Sequence, residues 1–166
     1  TNVFKQNTLW EPGHTEVVKL KIVNEGNLAL KYRLGVNIVS ETGAHLPSFC
    51  TAQGKALLSP LPDATVRRVF ETQFQQFTPH TVSSTDALLS ELQSVREKGF
   101  AIENGEFKIG IRGVAAPIRD HSGTIRYALG LIGMFRRIDS DEFRSATAEV
   151  VKTAGTISEA LGWKKD

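Results

Sequence analysis

The sequence has one cysteine, Cys50, and no apolar run that approaches the roughly 20 residues of a membrane span. A single cysteine excludes a disulfide within the chain, and a reducing compartment is the simpler expectation. No stretch has the charged-then-apolar pattern of a signal peptide. These features predict a cytoplasmic protein that does not associate with membranes.

The chain also lacks an excess of either charge, since 20 basic and 18 acidic residues give a net charge of +2. No basic tract supplies the phosphate contacts that DNA binding requires, and no helix-turn-helix pattern is present. The composition, with 40% hydrophobic and 23% charged residues, is that of an ordinary folded domain. Because the sequence starts at Thr1 without a methionine, we expect a piece of a longer protein whose N-terminal partner is missing.

Motifs for catalysis and for cofactors are missing as well. The sequence has no C-x-x-C, H-E-x-x-H, G-x-S-x-G, G-x-x-x-x-G-K-[ST] or G-x-G-x-x-G. Cys50, His45 and His80 stand apart in the sequence, and a lone cysteine is usually a small buried hydrophobe. We therefore expect no catalytic residue, no metal site and no cofactor.

Periodicity predicts the elements that are present. Residues 15–23 and 28–36 alternate as a β-hairpin, after an N-terminal arm. A first helix begins at Thr51, a second is capped by Asp63 and runs through Phe70, and a third begins at Ser84 or Thr85 and ends at Gly99.

A second β region follows at 100–135. Phe107, Ile109 and Ile111 alternate with polar residues or glycine, and a turn at 119–123 separates the strands of a long hairpin. A closing helix starts with Asp139 and Glu142 and carries an apolar stripe to Trp163. This order predicts an α+β domain with an antiparallel sheet covered by helices, similar to PAS and GAF sensor domains.

Four motifs occur in an order that resembles a known family. They are HLPSFCTAQGKALL at 45–58, REKGFA at 96–101, GVAAPI at 113–118 and the turn and strand at 120–128. Together they resemble the C-terminal effector-binding domain of IclR-family transcription regulators over about 44–163. Several ordered motifs are more specific than any one of them.

Residues 1–43 fit this family less well. Their Trp10-Glu11-Pro12-Gly13 turn and following hairpin resemble exported bacterial β-sandwich fibre proteins, and a seam near Gly43 would indicate recombination or an engineered chimera. We favour one integrated effector-binding domain over 1–166, because 43 residues rarely bury a core alone. The winged helix-turn-helix that binds DNA in this family is absent.

The resemblance implies an effector site between the sheet and the start of the Thr51 helix, where free amides and the helix dipole attract a carboxylate. The ligand-binding residues implied are Cys50, Thr51, Ala52, Gln53, Gly54, Glu103, Gly113, Gly130 and Ile132. A floor of glycine and isoleucine offers few donors, which favours a carboxylate with an apolar part. The apolar end of the pocket could be walled by Phe107, Tyr127, Met134 and Phe135.

Structural roles remain open for the same residues. Thr51 can serve only as a helix cap, Gly54 only for close packing, and the strand glycines only for twist or a bulge. Glu103 can be a solvated carboxylate or can pair with Arg112 across the strands.

The function that the resemblance implies is sensing of an organic acid, whose binding changes the arrangement of attached DNA-binding domains. We expect self-association to a dimer or tetramer, and contact with DNA only through the missing N-terminal domain. One alternative is an enzyme acting on a small organic acid, for which Glu103 and His45 are the nearest candidates. The other is a structural or oligomerising β protein, suggested by 1–43.

Overall fold

The computed structural model describes residues 46–71 and 74–164, so the hairpin expected over 15–36 and the seam near Gly43 lie outside the described residues. A short 3₁₀ turn, Ser48–Cys50, opens this part of the chain. The helices are α1 Ala52–Leu58, α2 Asp63–Val69, α3 Thr85–Lys98 and α4 Asp141–Ala160. The strands are β1 Ala101–Asn104, β2 Arg112–Arg119 and β3 Ile125–Gly133.

The described strands form an antiparallel sheet in the order β1-β2-β3, which confirms the predicted α+β class and the long hairpin. The turn between β2 and β3 is fixed by Asp120, whose Oδ1 accepts hydrogen bonds from the amides of Ser122 and Thr124 at 2.9 and 3.1 Å. A register shift between Ile118 and Arg119 marks a β-bulge beside this turn.

The two faces of the sheet pack against different partners. One face lies against α4 through large apolar residues, namely Val114, Ala116, Ile118, Phe143, Val150 and Ala154. The other face meets α1 and α3 through small ones, namely Ala52, Ala56, Val95, Ala101 and Ala115. Small side chains let the α1 backbone approach the sheet closely, so the start of α1 lies directly over β2 and β3.

A third cluster of buried residues, rich in phenylalanine, joins the 3₁₀ turn to α2 and α3. Phe49 contacts Phe70 and Phe74 edge-on, with ring centroids 6.1 and 5.2 Å apart. Phe107 joins this cluster through Phe77, at 5.1 Å between centroids. The cluster therefore fixes the entry into α1 from the side away from the sheet.

Two predicted helix caps are confirmed. The Thr51 hydroxyl accepts a hydrogen bond from the Gly54 amide at 3.3 Å, and the Ser84 hydroxyl accepts one from the Ala87 amide at 3.2 Å. Gly99 ends α3 in the left-handed conformation at φ 79°, where glycine carries no steric penalty.

Two other predicted helix starts were wrong by one residue. The cap position of α2 is Pro62, and Asp63 is the first helical residue. The cap of α4 is Ser140, whose hydroxyl accepts a hydrogen bond from the Phe143 amide at 3.2 Å. Asp139 instead accepts a hydrogen bond from Arg137 at 2.7 Å, so its carboxylate is not available as a cap.

The strand expected at Phe107, Ile109 and Ile111 was also wrong, because this segment is a loop between β1 and β2. Gly105 and Gly110 have φ of 70° and 83°, which breaks an extended chain. The Gly105 amide donates to the Ile111 carbonyl at 2.8 Å and closes the loop. Ile109 is consequently 72% exposed.

The last turn of α4 is attached to the β2–β3 hairpin. The Arg119 amide, at the β-bulge, donates a hydrogen bond to Ser158 Oγ at 3.0 Å. The Arg119 guanidinium lies 5.7 Å from the centre of the Trp163 ring. The helix itself ends at Ala160, three residues before the predicted end at Trp163.

None of the described helices is long and apolar enough to cross a membrane.

Candidate functional site

One stripe of α1 is buried against the sheet and α3, and it contains a charged residue. Ala52, Lys55, Ala56 and Ser59 follow the i, i+3, i+4, i+7 spacing of one helix face, and none is more than 4% exposed. Lys55 is 0% exposed. A buried ammonium is stable only with charged partners, so this helix face must contact carboxylates as well as apolar side chains.

Lys55 has two carboxylate partners. Its Nζ lies 2.7 Å from Glu106 Oε1, on the loop after β1, and 2.5 Å from Glu91 Oε2, on α3. The Glu106 side chain is 8% exposed and that of Glu91 is 41% exposed. The ion pair therefore joins α1, α3 and the β1–β2 loop at one buried point.

Two threonines fix the backbone that carries Glu106. Thr78 Oγ1 donates a hydrogen bond to the Gly105 carbonyl at 2.7 Å, and Thr81 Oγ1 donates one to the Glu106 carbonyl at 2.6 Å. Both threonines are buried. The position of Glu106 is therefore set by main-chain contacts as well as by Lys55.

Glu103 lies in the same buried region and was wrongly considered as a solvated carboxylate. It is 2% exposed and lies at the β1 end of a row of three residues formed by sheet register, in which it pairs with Gly113 and Gly113 pairs with Ile132. Burial raises the pKa of Glu103 from 4.5 to about 7. A hydrogen bond from the Phe107 amide, 3.4 Å away, lowers this pKa in part. The Glu106 carboxylate raises it further, and Lys55 and the Ala52 amide lower it by smaller amounts.

The suggested pairing of Glu103 with Arg112 was wrong. Arg112 Nε donates to Asn104 Oδ1 at 2.8 Å, and its Nη1 donates to the Phe135 carbonyl at 2.6 Å. The register explains this, because Arg112 is opposite Asn104, on the neighbouring position of β1.

Cys50 is fully buried beside the same cluster. Burial raises the pKa of its thiol to about 12, with Glu103 and Glu106 adding to the effect and Lys55 opposing it. A thiol with this pKa is neutral and unreactive at physiological pH, so Cys50 acts here as a small apolar side chain.

The start of α1 touches the two strand glycines. A Cβ atom on Gly113 would lie 3.7 Å from the Ala52 Cβ, and a Cβ on Gly130 would lie 2.4 Å from Gln53 Nε2. Gln53 therefore lies directly on the backbone of β3 at Gly130. Within the described part of the chain, its Oε1 is buried and has no hydrogen-bond partner.

The structure brings the nine predicted ligand-binding residues into one region. Gly113 and Ile132 adjoin Glu103 by register, Gly130 contacts Gln53, and Cys50 through Gly54 form the entry into α1. Two of the α1 amides already face protein groups, since the Gly54 amide binds Thr51 and the Ala52 amide lies beside the Glu103 carboxylate. The predicted residues therefore lie together, and some of their polar groups already form hydrogen bonds with one another.

The apolar wall expected from four side chains was wrong. Phe107 packs in the phenylalanine cluster, and Phe135 packs against Phe143 on the α4 face, at 5.1 Å between centroids. Tyr127 and Met134 are 61% and 85% exposed. Alternation along β3 places Tyr127 on the α4 face of the sheet, opposite to the one that α1 covers.

Sequence patterns did not indicate five residues of this region, namely Lys55, Glu91, Glu106, Thr78 and Thr81. A signal was available for one of them, because Lys55 shares the helix face of Ala52 and Ala56 within an otherwise apolar stripe. The partners of Lys55 lie 36 and 51 residues further along the chain, and helical spacing carries no information on them.

Within the described ranges, no group of three or more His, Cys, Asp or Glu side chains is placed to hold a metal ion. His45 lies outside these ranges, and His80 adjoins the loop at Gly105.

An antiparallel sheet between a long C-terminal helix and a short helix packed through alanines defines a GAF-like sensor domain. The chain belongs to the family of the bacterial transcriptional regulator IclR C-terminal domain, whose model matches residues 16–159. This match begins before the first motif recognised in the sequence and covers most of the chain.

Named relatives and solved structures agree with this assignment. The HTH-type transcriptional repressor AllR of Escherichia coli K12 is 32% identical over 164 residues, which is 97% of this chain and 60% of AllR. The crystal structure of the Agobacterium tumefaciens repressor BlcR has a TM-score of 0.69 and 33% identity, over 76% of this chain and 51% of that one. The C-terminal domain of the E. coli regulator KdgR has a TM-score of 0.65 and 30% identity, over 70% and 72%.

The chain thus spans about 60% of the length of the curated relative AllR. These relatives are named as regulators or repressors, which confirms the expectation of a regulatory domain rather than an enzyme.

Proposed function

We propose that this domain senses a small, partly apolar carboxylate that binds where the start of α1 meets β2 and β3. The observation that carries the proposal is the contact of Gln53 with Gly130 above the row of Glu103, Gly113 and Ile132. It supports a site at which polar groups of one helix face a floor of small and apolar residues.

The charges of this region suit an organic acid. With a pKa of about 7, Glu103 carries a proton for much of the time at neutral pH, and a protonated carboxyl can donate a hydrogen bond to a ligand carboxylate. Lys55 is close enough to lower this pKa, and the amides at the start of α1 lie at the positive end of the helix dipole. When Glu103 is protonated, a ligand carboxylate meets hydrogen-bond donors here.

The floor of the site supports a partly apolar ligand. Gly113 and Gly130 contribute no side chains, and Ile132 contributes only carbon atoms. A ligand with several polar groups facing this floor would leave them without partners, which is costly when they are buried. An apolar portion of the ligand avoids that cost.

As part of a longer regulator, the domain would change the arrangement of DNA-binding domains attached N-terminally, within a dimer or tetramer. Support for this comes from the names of the relatives, which are HTH-type or IclR-type regulators of greater length. Regulators that act on bacterial DNA work in the cytoplasm, and we place the protein there.

The test is isothermal titration of matched pairs of acids and their amides, for example phenylacetate against phenylacetamide. We expect the wild-type domain to bind the acid and to bind the amide at least tenfold more weakly. Gly130→Leu should abolish binding, because Gly130 does not have a positive φ and the new side chain displaces Gln53 into the site.

Equal affinity for acid and amide, or undiminished binding by Gly130→Leu, would show that the ligand binds elsewhere.

A further inference from the structure

Two buried side-chain oxygens of this region have no hydrogen-bond partner among the described residues, namely Glu106 Oε2 and Gln53 Oε1. The Glu106 carboxylate binds Lys55 through its other oxygen, whereas Gln53 has a single side-chain oxygen. The Nε2, Cδ and Cγ atoms of Gln53 lie against Gly130, since a Cβ there would come within 2.4 to 2.9 Å of them. A buried carbonyl oxygen that accepts no hydrogen bond costs on the order of 1–3 kcal/mol.

Packing alone does not account for a glutamine at this position. A methionine or leucine would cover Gly130 with similar volume and without the buried oxygen. Neighbouring polar groups do not use Oε1 either. The Lys55 ammonium is bound by Glu106 and Glu91, the Thr51 hydroxyl donates to the Pro47 carbonyl at 3.0 Å, and the Gly54 amide donates to Thr51.

We propose that Gln53 determines the specificity of the site, because its Oε1 accepts a hydrogen bond from a hydroxyl group carried by the ligand carboxylate. The inference rests on the proposed function and narrows its ligand class to hydroxy acids with an apolar part. An unsubstituted acid leaves Oε1 without a hydrogen bond, whereas the hydroxyl group of a hydroxy acid donates one to it.

A hydroxyl fits this position better than an ammonium group. The region already contains one buried cation, Lys55. A second cation would have to shed its hydration, and Oε1 would offer it only a neutral oxygen as partner. A hydroxyl brings one donor and no charge. It can also turn its remaining lone pairs toward the amides at the start of α1.

The experiment compares acids that differ by one hydroxyl group, namely mandelate against phenylacetate, lactate against propionate and malate against succinate. Each is titrated calorimetrically into wild-type protein and into Gln53→Met, which keeps the length of the side chain and removes its oxygen. We expect the wild type to bind the hydroxy acid of at least one pair about tenfold more tightly. In Gln53→Met this ratio should fall toward one.

The matched control is Gln93→Met, the same substitution on the exposed face of α3, where Gln93 Nε2 donates to Glu97 at 2.8 Å. It should leave the ratio as in the wild type. The melting temperature without ligand shows whether a lost preference for the hydroxyl group results from damage to the fold. Because Gln53→Met removes an unpaired oxygen, this variant should melt no lower than the wild type.

Binding of these acids without preference for the hydroxyl, or a preference that persists in Gln53→Met, would overturn this inference and leave the proposed function standing. If none of the acids binds the wild type, the proposed function fails and this inference fails with it.

Discussion

Lys55 and Glu106 form an ion pair inside the protein, with Nζ and Oε1 2.7 Å apart and both side chains less than a tenth exposed. Glu91 and Glu103 add two further carboxyl groups to the one ammonium. Burial raises the pKa values of Glu103 and Glu106. Repulsion adds to this effect, because the carboxylates outnumber the cation.

Replacement of Lys55 by methionine should destabilise the domain by about 3 kcal/mol or more, because it leaves Glu106 buried without its cation. Urea unfolding measures the loss. Lys152→Met, on the exposed side of α4, is the control and should change the stability by less than about 0.5 kcal/mol. Adding Glu106→Gln to Lys55→Met should recover part of the loss, and a double variant as unstable as the sum of its parts would contradict this account.

Stability should fall as the pH rises from about 4.5 to 7. The pKa of Glu103 is 4.5 ordinarily and about 7 in the folded protein, so in this window the folded state retains a proton that the unfolded state has released. The linked loss is about 3 kcal/mol across the window. Glu103→Gln should remove this contribution and make the domain more stable than the wild type at pH 8.

Unfolding curves at several pH values test this, with Glu159→Gln on the exposed face of α4 as the control that keeps the wild-type dependence. A carbon-13 NMR titration of Glu103 that gave a midpoint near 4.5 would contradict the assignment.

Gly54→Ala should be among the most damaging small substitutions. A Cβ there would lie 2.3 Å from the Cα and carbonyl oxygen of Ser48, which are backbone atoms of the preceding 3₁₀ turn. We expect a loss of about 3 kcal/mol through displacement of the turn. The comparison is Gly155→Ala in α4, where a Cβ meets nothing within 4 Å and helix propensity predicts a gain of up to about 1 kcal/mol. Equal melting temperatures for the two variants would show that the turn can move freely.

Gly130→Ala should act on the ligand and not on the fold. Its Cβ displaces the flexible end of Gln53, which costs little stability, but it also removes Oε1 from its place above β3. We expect about a tenfold weaker affinity for the hydroxy acid that the wild type prefers, measured by calorimetry, and a change in unfolding free energy within about 1 kcal/mol. Gly133→Ala is the control on the same strand, because the nearest neighbour of its Cβ is the Phe135 ring, at 3.4 Å, an ordinary contact distance. A similar loss of affinity in both variants would indicate a general effect on β3.

The sequence predicted the features that depend on neighbouring residues. Thr51 and Ser84 cap their helices because a hydroxyl reaches an amide three residues on, and Gly99 ends α3 because it tolerates positive φ. The β2–β3 hairpin followed from alternation around the turn at Asp120. The residues predicted to bind the ligand, by contrast, came from the family resemblance, and the structure brings them into one region.

Features that depend on distant residues were missed. Alternation at Phe107 and Ile111 indicated a strand. In the structure Gly105 and Gly110 turn the chain, and Phe107 packs against the Phe77 ring. Lys55 looked like an ordinary helix former, because its spacing shows which face it occupies and not that carboxylates lie opposite. A charged side chain such as Lys55 can be buried only where groups of opposite charge lie next to it, and the tertiary fold determines which groups those are.

The attachment of Arg119 to Ser158 and Trp163 has a consequence for how the domain opens. Because the last turn of α4 is bound to the bulge of the hairpin, neither can separate from the sheet without breaking the other's contacts. Although Arg119 and Ser158 are 39 positions apart in the sequence, the two segments should thus exchange their amide hydrogens with one common protection, as a single cooperative unit. The loop at 105–111 is held at Glu106, but its exposed part around Ile109 lacks such an attachment and should exchange its amide hydrogens first.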